Sequence, residues 1–227
     1  MLNVIVLGPP ASGKGTQAVH LAQARGIPKI STGDILREAG QAGTPLGLKA
    51  KALMDRGELV SDGDMVDIVR ERLSRPDAQN GFILNGFPRT VSQAETLDTM
   101  LAGQPLVIIN LSVPDGELTH RMEDRRVCNA CSRNAEPGSA ASETCARCGG
   151  KMIMRADDGD ANVRQHRLEV YARESKPLLD YYRARSTFRS VNGAQAPEKV
   201  AAELAAAIET MVPAAVRAPS ATTGRPR

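Results

Sequence analysis

Gly8-Pro9-Pro10-Ala11-Ser12-Gly13-Lys14-Gly15-Thr16 directly follows the apolar run Leu2–Leu7, and this junction constrains the chain more than any other stretch. An apolar run that ends in glycine and opens into an amphipathic segment reads as a strand feeding a helix through a phosphate-gripping loop. Glycines let successive backbone N–H groups curl toward an anion, the helix start offers its positive end, and Lys14 adds a mobile charge. The G-x-x-x-x-G-K spacing therefore predicts a nucleoside triphosphate ligand bound by Ala11, Ser12, Gly13, Lys14, Gly15 and Thr16. The usual Ser or Thr directly after the lysine is replaced by Gly15, so a hydroxyl appears only at Thr16. A ligand-free glycine turn is the plain alternative, and the strand before it and amphipathic helix after it argue against that.

The 227 residues suffice for one substantial core with smaller insertions. A net charge of +3 spread over scattered arginines and a basic tail does not demand a polyanion-binding surface; compact anionic ligands fit equally well. With no tryptophan, three tyrosines and three phenylalanines, the core must be built from Leu, Val, Ile, Ala and Met. The N-terminal apolar run lacks a basic leader and is too short to span a bilayer, so the expectation is a cytoplasmic protein with no membrane partner.

Apolar runs at Leu2–Leu7, Pro28–Ile30, Phe82–Leu84, Leu106–Leu111 and Phe188–Val191 are the strand candidates. Helical patterns run from Lys14 to Arg25, Gly47 to Arg56, Asp64 to Leu73, Thr90 to Leu101, Pro114 to Arg125, Asn162 to about Arg185, and Pro197 to Met211. Pro177 should kink or divide the sixth of these. The alternation predicts an α/β fold, a parallel sheet flanked by helices. Ser61 with Asp64, and Thr90 with Gln93, have capping-box spacing, and Pro114 suits a first helical position. Two stretches break the rhythm and read as insertions: 31–60, which carries helices without strands, and 124–161, which holds all the cysteines. The core is then 1–30, 61–123 and 162–211, and the Pro-, Ala- and Arg-rich tail 212–227 is expected to be disordered.

Cys128-x-x-Cys131 and Cys145-x-x-Cys148, with thirteen residues between the pairs, supply two thiolate pairs on tight turns. Such pairs close a tetrahedron around Zn²⁺, and four thiolates leave no position for water or substrate, so the ion is expected to be structural. Two disulfides or four free buried thiols are the alternatives, and a reducing compartment disfavours the first.

Taken together, the phosphate loop through Gln17, Ile30-Ser31-Thr32-Gly33-Asp34-Ile35-Leu36-Arg37, Gly57-Glu58-Leu59-Val60 and Gly86-Phe87-Pro88-Arg89-Thr90 with Gln93 resemble adenylate kinase. The resemblance continues through Arg121 to Val127, Arg155-Ala156-Asp157-Asp158 and Arg167-Leu168-Glu169-Val170-Tyr171, covering residues 1 to about 211 in order. It is to the long bacterial type with a zinc-bearing lid. The resemblance implies the P-loop nucleoside monophosphate kinase fold with two mobile inserted segments, and transfer of the terminal phosphoryl group of ATP, as MgATP, onto AMP to give two ADP.

By the same resemblance, Lys14, Arg89, Arg125, Arg155 and Arg167 are catalytic, and Arg121, Arg125 and the backbone near Gln195 belong to the ATP site. Thr32, Arg37, Glu58, Leu59, Val60, Gly86, Phe87, Pro88, Arg89, Gln93, Arg155 and Arg167 belong to the AMP site. The two nucleotides and one Mg²⁺ bring about four net negative charges, which guanidinium forks suit well. Gln93 has two readings: its amide can pair with an adenine edge, or it can merely complete the cap begun by Thr90. A monomer with no nucleic-acid partner is expected.

Three departures from the family pattern stand out. Asn85 occupies the position before Gly-Phe-Pro-Arg where the family usually has aspartate, removing a negative charge near the metal. The loop after Asp157-Asp158 is one residue longer than usual, which favours Arg167 over Arg164 for the phosphate role. Ser132-Arg133-Asn134 replace the family's frequent Gly and Tyr-His, so lid contacts to the ATP base are not carried over. Two rival functions remain open on sequence: a kinase for another acceptor such as UMP, CMP or GMP, and a nucleotide-gated nucleic-acid-binding protein using the zinc segment. The cysteine segment has no aromatic platform for stacking bases, which weighs against the second.

Overall fold

The computed structural model describes residues 1–131, 134–135 and 143–211; the tail 212–227, and Ser132 and Arg133, lie outside the described residues. Five strands, β1 (Leu2–Leu7), β2 (Lys29–Ser31), β3 (Gly81–Asn85), β4 (Leu106–Ser112) and β7 (Phe188–Asn192), form one sheet in the order β2-β3-β1-β4-β7. Every pairing is parallel; Val4, for instance, faces Ile83 on one side and Val107 on the other. A parallel sheet needs helical crossovers on its faces, and that is why β1 is buried along its whole length.

The period of two along each strand divides the core. Ile5 and Leu7 pack with Leu84, Ile108, Phe87 and Leu97 on one face, whereas Val4 and Val6 pack with Ile83, Val107 and Ile109 on the other. The second face is closed by α1 (Lys14–Arg25), through Ala18 and Leu21, and by α9 (Pro197–Met211), through Val200, Leu204 and Ile208. The first is closed by α2 (Thr32–Gln41), α3 (Pro45–Asp55), α4 (Asp62–Ser74), α5 (Val91–Met100) and α8 (Pro177–Arg183). Between β4 and β7 the chain also forms α6 (Asp115–Asp124), the short antiparallel hairpin β5 (Arg126–Cys128) and β6 (Met152–Met154), and α7 (Ala161–Val170).

The expected elements are present, with differences that have physical causes. Helix α2 falls in the stretch 31–60 expected to carry helices, and the Ser31 side chain caps it by accepting from the Asp34 N–H. Ser31 itself ends β2, one residue beyond the Ile30 expected as the strand's end. Pro114 is the N-cap of α6 rather than its first helical residue. The long helix expected from Asn162 is divided, as Pro177 suggested, but through a π-turn at Tyr171–Ser175 in which Lys176 N–H donates to the Tyr171 carbonyl at 2.8 Å. That wider turn shifts the register immediately before a residue that has no N–H to give.

Candidate active site

The phosphate loop leaves β1 at the carboxyl edge of the sheet, where parallel α/β sheets place their ligands. Gly13 caps α1 with φ of 92°, a left-handed conformation that glycine adopts without steric cost. Ala11 also lies in the left-handed region, with φ of 60°, and is the only non-glycine residue at positive φ among the described residues. Lys14 folds its ammonium over the loop, donating to the carbonyls of Gly8 at 2.8 Å and Pro9 at 2.5 Å. Burial, then the cations of Arg89 and Arg125, hold the Lys14 ammonium well below its ordinary pKa.

Five arginines from separate elements surround that lysine: Arg37 on α2, Arg89 after β3, Arg125 at the end of α6, Arg155 after β6, and Arg167 on α7. Burial and the Arg155 cation push Arg125 down to about 9, and desolvation within the cleft, then the cations of Arg167 and Arg155, bring Arg89 to about 10. Guanidiniums do not give up protons in this range; the displacement expresses burial first and crowded positive charge second, and a bound anion would relieve the second. Two carboxylates already offset part of it. Asp157 accepts from Arg155 Nε at 2.5 Å and Nη2 at 2.8 Å, and Asp158 takes Arg125 and Arg167. Against the cost of burial, Arg155 and Arg167 hold the Asp157 carboxyl well below the usual range.

The five arginines line a cavity of about 500 Å³ with Ala11 to Thr16, Arg121 and Gln195. Arg121 donates to the Gly193 carbonyl at 3.0 Å, which holds its guanidinium beside the loop that follows β7. Arg164 turns instead to the Asp158 carbonyl at 2.8 Å and to Glu123 at 3.0 Å, and does not line the cavity. Asn85, at the end of β3, and Asn134 both do line it, and their side-chain amides lie near Gly15. Asn134 Oδ1 is buried with no hydrogen-bond partner among the described residues. In the sequence Asn134 stands out only as part of the Ser132-Arg133-Asn134 departure from the family pattern, with no site role assigned to it, and its place in the lining comes from the fold.

A smaller recess, of about 50 Å³, adjoins the cavity and shares Arg89, Arg155 and Arg167 with it. Thr32, Glu58, Leu59, Val60 and Gln93 line this recess. Thr32 Oγ1 and Arg89 Nε both donate to the Gly86 carbonyl at 2.9 Å, which joins the start of α2 to the loop after β3. Gly57, at φ of 78°, lets the chain pass against α7: a Cβ there would stand 2.6 Å from Arg167 Cγ. Pro88 lines the larger cavity, but Phe87 lines neither, being fully buried in the core beneath them.

Apart from this cleft, Cys128, Cys131, Cys145 and Cys148 gather their four sulfurs within 4.8 Å of one another. The closest pairs are Cys128 with Cys148 at 3.5 Å and Cys131 with Cys145 at 3.7 Å, near the roughly 3.8 Å edge of a tetrahedron with 2.3 Å zinc–sulfur bonds. No disulfide links them. The donor set fits a closed four-sulfur zinc site. No helix among the described residues is long and apolar enough to cross a membrane.

A phosphate loop on a parallel sheet, facing a ring of arginines beside a second recess, defines a P-loop phosphotransferase. A family model described as adenylate kinase matches residues 6–187. Among curated relatives, the adenylate kinase of Thermodesulfovibrio yellowstonii is 45% identical over 92% of this chain and 99% of its own length. That of Archaeoglobus fulgidus is 45% identical over 92% and 98%, and that of Methanocella arvoryzae 42% over 92% and 100%. The chain belongs to the adenylate kinase family, and is a phosphotransferase of adenine nucleotides.

Proposed function

We propose that this chain transfers the terminal phosphoryl group of MgATP reversibly onto AMP, giving two ADP. The convergence of Lys14 with Arg37, Arg89, Arg125, Arg155 and Arg167 between a large cavity and a smaller recess carries this reading. An AMP phosphate is already anionic near neutral pH, so no side-chain base is needed to unmask the nucleophile. Positioning and charge neutralisation then carry catalysis.

Loop amides and Lys14 hold the ATP phosphates, Arg125 and Arg167 flank the group in transit, and Arg155 covers it. Arg37 and Arg89 anchor the AMP phosphate, while Thr32, Gln93 and the backbone of Glu58 to Val60 take its base. Arg121 and the chain near Gln195 lie where the ATP base would sit. Phe87 supports the recess from below. Segments 31–60 and 124–161 act as covers on a core of 1–30, 61–123 and 162–211, excluding water that would otherwise hydrolyse ATP. Mg²⁺ enters with ATP. Zn²⁺ on the four cysteines is structural, tying the two turns of the 124–161 segment together. The free thiols suit a cytoplasmic protein, and a monomer completes the reading.

A coupled assay of ADP formation across AMP, UMP, CMP and GMP tests the proposal, alongside metal analysis of the purified protein. AMP should be preferred, with about one zinc per chain. Absence of ADP from MgATP and AMP, or preference for a pyrimidine acceptor, overturns it.

A further inference from the structure

Gln93 is 1% exposed and lines the smaller recess, yet the residue that decides which way its carboxamide faces lies on another helix. Asp62, the first residue of α4, accepts from Gln93 Nε2 at 2.7 Å with one oxygen and from Thr90 Oγ1 at 2.8 Å with the other. At its opposite end, Gln93 Oε1 accepts the Arg89 backbone N–H at 2.8 Å. Thr90 Oγ1 in turn accepts from the Gln93 backbone N–H at 3.2 Å, closing the circuit. An ionised carboxylate only accepts and a backbone N–H only donates. The amide therefore cannot be turned over without breaking both contacts.

We propose that Asp62 is a positioning residue that locks the Gln93 carboxamide in one orientation and thereby makes the recess selective for a 6-amino purine over a 6-oxo purine. The inference rests on the proposed reading that the recess takes the base of the acceptor monophosphate. After the circuit is satisfied, Gln93 retains one acceptor position on Oε1 and one hydrogen on Nε2. A 6-aminopurine offers the complement, an exocyclic N–H beside a ring nitrogen acceptor. A 6-oxopurine presents the reverse order along its pairing edge, an oxygen acceptor beside a ring N–H. With the monophosphate anchored by Arg37 and Arg89, the base is not free to turn over and recover the match. Without the Asp62 acceptor only the Arg89 contact opposes rotation, so turning the carboxamide over to meet a 6-oxopurine costs less.

The test measures kcat and KM for AMP, GMP and IMP, and KM for MgATP, in the wild type and three variants. Asp62→Ala and Asp62→Leu remove the acceptor, and leucine keeps the volume between α4 and α5. The preference for AMP over GMP and IMP should fall by about tenfold or more, the scale of one lost bidentate base contact, with MgATP KM unchanged. Asp62→Asn should restore the preference, because its Oδ1 still accepts from Gln93 while its NH₂ donates to Thr90. A folded Asp62→Leu protein with wild-type preference overturns the proposal, as does a loss that raises the KM of MgATP and AMP alike. NMR gives an independent reading: the Gln93 Nε2 proton donated to Asp62 should exchange with solvent about tenfold or more slowly in the wild type than in Asp62→Leu, and equal exchange in the two proteins overturns the lock. Should wild-type protein make no ADP from MgATP and AMP, the reading of the recess fails while the NMR result still decides the lock.

Discussion

Asp158 is fully buried, and its Oδ2 receives the Arg125 guanidinium at 2.5 Å while Oδ1 takes Arg167. The carboxylate thus holds two cations of the cleft at fixed positions and offsets part of their mutual repulsion. Asparagine at 158 would leave two guanidiniums facing each other without compensation. Breaking such a buried pair costs about 3 kcal/mol, so Asp158→Asn should melt roughly 6–12 °C lower without nucleotide. A bisubstrate ligand, in which five phosphates join two adenosines, should recover much of the loss; equal melting of variant and wild type without ligand would refute the assignment.

Acid should act first through Asp157. Its carboxyl titrates below its unfolded value because Arg155 and Arg167 outweigh burial, so its stabilising contribution is complete above about pH 5 and fades as pH falls toward its folded value. Wild-type stability should stay level in this respect between neutrality and about pH 5 and then drop, whereas Asp157→Asn should begin lower and drop less steeply. Denaturant melts from pH 7 to pH 3 read both slopes, and parallel curves would count against this pairing.

Magnesium dependence should report on Asn85. Its amide lies at the end of β3, close to Gly15, and can hydrogen-bond a metal-bound water but brings no charge. Asn85→Asp is expected to lower the Mg²⁺ concentration for half-maximal activity by several-fold, measured at fixed ATP. An unchanged or raised requirement would remove Asn85 from the account.

Ala11 carries a Cβ where the backbone is left-handed. That costs roughly 1–2 kcal/mol, partly balanced by the greater freedom glycine has in the unfolded chain. Ala11→Gly should therefore raise the melting temperature by about 2 °C, with MgATP KM changing in either direction by less than threefold. A lowered melting temperature would show that the Ala11 methyl makes compensating contacts.

Metal removal should be felt locally. Stripping the protein with a chelator under reducing conditions should raise amide exchange in β5 and β6 by about tenfold or more, while β1, β3 and β4 keep their protection. Uniform loss across the sheet would mean that the cysteine cluster supports the core as well as the hairpin.

Local chemistry was readable from the chain alone wherever the residues involved are neighbours in sequence. The phosphate loop and α1, the division at Pro177, and the paired Cys-x-x-Cys turns all depend on spacing within a few residues, and short apolar runs were enough to place the strands of the sheet. Resemblance then assigned the arginines their roles, since one exposed-looking Arg resembles another until its surroundings are known. Tertiary packing decided the rest. Asp62 meets Thr90 and Gln93 only because α4 and α5 lie side by side, 28 and 31 residues apart along the chain. Asp157 and Asp158 acquire their function from arginines supplied by α6, β6 and α7, and Phe87 is withdrawn into the core although its neighbours face the cleft. Sequence separation hides such relationships because a hydrogen bond or ion pair depends on distance in space, and only the folded sheet brings those distances within reach.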